Sequence, residues 1–190
     1  MQQPTELPSA AGLDAQGALV AGGQAALGVR VNHHFEVECR GEDGRLKWME
    51  EFDNIVVTAG LNKYIDATLK TGLASPAWYV GLKDTGTPNA ADTMASHASW
   101  AEIVPYSDGT RPAFDLSGNS ISAGSVSNSN NKAAFTIDGT DDVYGAFIAD
   151  DATKSGSSGT LLGVGDFAAA RSVISGDTLN VQVTTSIAAA

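Results

Sequence analysis

His97 is the residue in this sequence best placed to do chemistry. It closes the run Asp92-Thr93-Met94-Ala95-Ser96-His97 and is followed by Trp100 and Glu102. Asp92, His97 and Glu102 would make a facial metal site if the loop folded back on itself. The simpler expectation is preferred: His97 hydrogen-bonds backbone in an ordered loop beside Trp100. His33 and His34 are adjacent in an alternating segment, and strand neighbours point to opposite faces, so the pair cannot share a metal without distortion. Ser96 adjoins His97, yet adjacency is not a triad, and no Gly-x-Ser-x-Gly elbow is present.

Other chemistry-bearing groups are equally scattered. Asp138, Asp141, Asp142, Asp150 and Asp151 bracket an expected hairpin; oxygen-rich turns can bind calcium, but the EF-hand order is missing. Gly163-Val164-Gly165 lacks the third glycine and the following helix of a dinucleotide motif. Cys39, the single cysteine, excludes an intramolecular disulfide and reads as a small buried hydrophobe. No nucleophile, base and oxyanion donor assemble, so the expectation is a protein without catalytic residues, cofactor or metal: not an enzyme.

The elements that must position these residues are mostly strands. Phe35, Val37 and Cys39 alternate along one face, Gly41-Glu42-Asp43-Gly44 carries a hairpin signal, and Arg45–Met49 returns as the second strand. Asp53–Val57, Ala77–Lys83, Ala133–Ile137, Val143–Ala149, Thr160–Val164 and Thr178–Ile187 read as further strands between Gly-, Ser-, Asn- or Asp-rich turns. The spacing predicts one helix, capped by Thr58 and by Gly72, with Leu61, Tyr64, Ile65, Thr68 and Leu69 on the face that plugs the β-structure. Ser117–Asn131 is expected to be exposed loop. Trp78 and Trp100 should anchor the core, and Arg111 is expected to pair with an acidic neighbour such as Glu102. The expected fold is therefore mainly β: a β-sandwich or jelly-roll-like domain with one short α-helix and an extended N-terminal arm.

Residues 1–31 form that arm, ahead of a β-rich domain over residues 32–190. The first thirty residues contain no aromatic side chain, and Ala and Gly dominate from Ala10 to Gly28. Such a segment buries too little surface to offset an ordering cost of roughly 1–2 kcal/mol per residue. It reads as a disordered tail, or as an arm that orders on a neighbouring subunit through Leu13, Leu19, Val20 and Leu27. Extended, it would reach about 100 Å. Met1-Gln2-Gln3-Pro4 has neither a basic start nor an apolar core behind it, so no signal peptide is expected and synthesis is cytoplasmic. With 11 basic against 22 acidic residues, the formal net charge of −11 disfavours contact with nucleic acid, and no apolar run suits a membrane.

Several blocks carry a resemblance. Asn54–Asn62, Trp78–Leu82, Asp92–His97 with Trp100 and Glu102, Thr110-Arg111-Pro112-Ala113, Arg171-Ser172-Val173 and Ser175–Leu179 occur in the order seen in a family of small tailed-bacteriophage virion proteins. Together they span the domain and leave the arm outside. The resemblance implies a structural role, with a head decoration (cement) protein favoured, and brings no catalytic residues. It further implies the major capsid protein as partner, self-association such as a trimer at three-fold positions, and a place on the capsid exterior. The alternative is a tail, neck or baseplate protein, including a receptor- or glycan-binding module. Exposed aromatic platforms would mark that module, and three Trp and four Tyr, several within strand patterns, argue mildly against it.

Overall fold

In a computed structural model, residues 28–70 and 76–189 are described, and they build two antiparallel sheets closed on one core. The first sheet contains β1 (Val29–Arg40), β2 (Leu46–Asp53), β6 (Ser125–Ser127), β7 (Ala133–Thr136) and β10 (Thr178–Ala189). Its order is β2-β1-β10-β6, with β7 also on β10. The second runs β3 (Ile55–Val56), β9 (Leu161–Val173), β8 (Asp141–Ala149), β4 (Tyr79–Lys83) and β5 (Glu102–Ile103).

Alternation explains the first sheet. Phe35, Val37 and Cys39 of β1 lie opposite Val183, Val181 and Leu179 of β10, and all six are buried, so each apolar residue meets another across the ladder. Phe52 of β2 stacks on Phe35 at 4.8 Å. Pairing of Val29–Val31 with Ile187–Ala189 carries β1 back into the stretch read as arm.

The second sheet is buried on both faces, which is why Gly145–Ala149 and Leu161–Gly165 read as runs rather than alternations. Val80, Leu82, Ala146, Ile148 and Leu162 face the shared core; Phe147, Ala149, Leu161 and Val164 pack with Val57, Met94 and Trp100 in a second cluster. β9 continues past the expected Val164 to Val173. Its Ala168-Ala169-Ala170 stretch is exposed and carries no alternating signal.

Two expectations are corrected. Ser117–Asn131 is not all exposed loop: β6 adds to β10, and Asn128 is fully buried. Its side chain accepts from the Val183 amide (2.7 Å) and donates to the Val181 carbonyl (3.3 Å), standing in for backbone in the gap between β6 and β7. The helix also differs. α1 (Thr58–Ile65), continued by a π-helical stretch at Asp66–Lys70, starts from an extended Val57 with no side-chain cap, and the Thr58 amide donates to Ala90 O instead.

Leu61, Ile65 and Leu69 are 42%, 56% and 82% exposed, so α1 does not bury the face read from the sequence. Closest approach decides this: a Cβ on Gly60 would sit 2.2 Å from Leu162 O, and only glycine lets the helix rest on β9 there. Tyr64, of the expected set, does pack on the core. The expected cap Gly72 lies outside the described residues. Gly60→Ala should therefore cost about 1–3 kcal/mol through overpacking. That is a fall in Tm of roughly 2–12 °C in a thermal melt; an unchanged melt would mean α1 is free to move off β9.

Candidate functional site

His33 and His34 do point apart. The corner Asn54, where the chain leaves the first sheet for the second, donates from Nδ2 to His33 Nδ1 (2.9 Å), and His33 Nε2 donates to the Tyr64 hydroxyl (2.7 Å). Burial pushes the His33 pKa down to about 4. His34 sits outside, its Nδ1 3.0 Å from Asp53 Oδ1.

Asp92, His97 and Glu102 are each committed elsewhere. Asp92 Oδ2 accepts from Trp100 Nε1 (2.8 Å) and from the Asn89 amide (2.9 Å). His97 donates from Nδ1 to Trp100 O (2.9 Å) and stacks on the Trp100 ring at 4.1 Å, the arrangement preferred from sequence. Glu102 takes a two-pronged bond from Arg111, Nε to Oε1 at 2.9 Å and Nη2 to Oε2 at 2.7 Å, and also the Ser155 amide at 2.6 Å. Among the described residues no three His, Cys, Asp or Glu side chains converge as a metal would require. The turn aspartates cap amides: Asp141 that of Asp142, Asp150 that of Thr160, Asp151 that of Thr153.

Arg111 is the hub of this region. Beyond Glu102, its guanidinium donates to Asp151 O (2.7 Å) and Gly156 O (3.1 Å) and lies 5.1 Å from the centre of the Phe147 ring. One fully buried cation thus ties β5 to the 151–156 loop. A second buried cation, Lys83, which nothing in the sequence singled out, meets Asp166 at 2.6 Å across the β4–β8–β9 row. Gly145 stands between them in that row, without a side chain. A cavity of about 310 Å³ lies above Phe147, lined among others by Met94, His97, Trp100, Glu102 and Ser155. Trp100 is 6% exposed there and offers no stacking platform. Asp92, Arg111 and Asp177 are thus buried anchors, the last paired with Lys47 at 2.6 Å.

The surface suited to binding is apolar. A groove of about 340 Å³ opens between the sheets, bounded by Tyr64, Trp78, Phe114, Ile121, Val126 and Ile187, and a smaller pocket continues it along Tyr64 and Trp78. Trp78 accordingly packs at the edge of the core rather than within it. The Ile187 amide donates to Gly124 O (2.9 Å), and Gly124 adopts a positive φ of 74° with no room for a Cβ beside Ile187 O. That contact holds the loop bearing Ile121 against the end of β10. Sequence reasoning missed the groove; Ile121 and Val126, the two large apolar residues in a Ser/Asn/Gly stretch, were the available signal. Leu13, Leu19, Val20 and Leu27 lie outside the described residues. No described helix is long and apolar enough to cross a membrane. No protein-family model matches the chain, and no curated protein matches it either.

Proposed function

We propose that this chain is a non-enzymatic structural protein of a tailed-bacteriophage particle: a capsid decoration (cement) protein on the outside of the head. Its partner is the major capsid protein, bound through the β domain and the N-terminal segment. The observation that carries this reading is the apolar groove at the end of the sandwich where the N-terminal segment joins β1. Such a surface suits protein contact. Buried anchors such as Arg111–Glu102 support a rigid scaffold rather than a reacting centre, since all three nitrogens of that guanidinium donate to fixed acceptors. The formal charge of −11 suits an outer surface better than one against packaged DNA.

Mechanistically, each copy buries an interface of standard size or smaller across neighbouring shell subunits. Repetition over the shell turns weak contacts into resistance to internal pressure. Quantitative mass spectrometry of purified particles tests this. The expected result is a copy number comparable with that of the major capsid protein. A number far below it would overturn the head assignment in favour of a tail, neck or baseplate part, and absence from the particle would overturn the structural role altogether.

A further inference from the structure

The groove has a specific neighbour. Val29 pairs with Ala189 and Val31 with Ile187 on one edge of β10, while β6 pairs with Thr184–Ser186 on the other. The N-terminal segment therefore enters the fold about 4.8 Å, one strand spacing, from the strand that supplies Ile187 to the groove. Upstream of Val29 the large apolar side chains are sparse: Leu27, then the adjacent pair Leu19-Val20, then Leu13. From Val29 to Leu19 the extended contour is roughly 33 Å. Because Val31 pairs with the groove residue Ile187, that contour leaves slack for a reversal, which Gly22-Gly23 and Gly28 permit.

We propose that in the free protein the Leu19-Val20 pair of the chain's own N-terminal segment seats in the groove lined by Trp78, Ile121, Val126 and Ile187. Tethering decides between occupants. Tethering within one chain holds a ligand at an effective concentration of about a millimolar, far above that of a second copy in a micromolar solution. This concerns the free protein and stands whether or not the segment later engages a shell.

Cysteine pairs in the full chain test the arrangement. Cys39 is buried and its thiol is pushed up to about 11, chiefly by burial, so introduced cysteines are the ones that react. Leu19→Cys with Ile121→Cys should oxidise to a disulfide within one chain, roughly tenfold faster than Leu19→Cys with Ile174→Cys. Ile174 is exposed just beyond Val173, near the opposite end of β10. Equal rates for the two pairs would overturn the proposal, and a disulfide formed only between chains would overturn it in favour of a second copy as occupant. Hydrogen exchange supplies a check without new cysteines. Amides around Leu19 and Val20 should be protected several-fold and lose that protection in Ile121→Asp, a substitution at a side chain 78% exposed and so harmless to the fold. Absence of protection in the unaltered chain would overturn the proposal. No particle enters either experiment, so failure here is distinguishable from failure of the proposed attachment to a shell.

Discussion

Arg111→Ala is expected to destabilise the domain by about 3–5 kcal/mol, because it strands a buried carboxylate. Glu102 has a side chain only 5% exposed and would keep one hydrogen bond, from the Ser155 amide. The carbonyls of Asp151 and Gly156 lose their donor in the same step. The fall in Tm should be roughly 6–20 °C. Arg111→Lys keeps the charge but loses the planar fork, so it should recover only part of the loss. Removing both charges, Arg111→Met with Glu102→Leu, should cost less than Arg111→Ala alone, since no buried ion is left without a partner. A double-mutant cycle on thermal or urea melts reads these differences. An Arg111→Ala loss below about 1 kcal/mol, the range of an exposed pair, would show the site to be wet and the clamp weak.

Acid should weaken the fold through His33. Its pKa is near 6.5 in the unfolded chain and is lowered to about 4 in the folded one. Above pH 6.5 the imidazole is neutral in both states and has no effect on pH dependence. As pH falls below 6.5 the unfolded chain takes up a proton that the folded chain refuses, so stability is lost progressively until about pH 4. The full loss is about 3 kcal/mol, at 1.36 kcal/mol per unit. Glu38, held below the usual carboxylate range by Arg40 and Lys132, and Asp53, held low by Asn32 and His34, act in the same direction but at lower pH. The measurement is Tm against pH from 7.5 to 4 for the natural chain and for His33→Gln. The substitution should flatten the upper part of the profile. Parallel profiles would mean that His33 titrates normally and that its bonds to Asn54 and Tyr64 do not hold in solution.

His33 also shows where sequence reasoning stops. Alternation placed it with Phe35, Val37 and Cys39, and that much is local. Its partners, Asn54 at the corner and Tyr64 on α1, come from elements whose approach no spacing encodes. The pairing of Arg111 with Glu102 was expected from the sequence as a cation meeting an acidic neighbour. The further bonds to Asp151 and Gly156, far along the chain, were not. Lys83 looked like an ordinary strand-end cation. It is buried because the 84–101 segment folds over the outer face of the second sheet and offers it the carbonyls of Asp84 and Gly86.

What the sequence determined by itself is the mainly β character, the first hairpin, most strand positions and the inward faces of β1 and β10. Those follow from a side-chain period of two set by backbone geometry within a few residues. What tertiary structure decided is which face of α1 is buried, the pairing of β6 with β10, the length of β9 and the existence of the groove. The spacing put Leu61, Tyr64, Ile65, Thr68 and Leu69 on one inward face, yet of the apolar members only Tyr64 packs inward. Contact at Gly60 against Leu162 O and at Tyr64 against His33 decides this, leaving Leu61, Ile65 and Leu69 facing outward. Choices of that kind depend on surfaces brought together from distant parts of the chain, and local spacing carries no record of them.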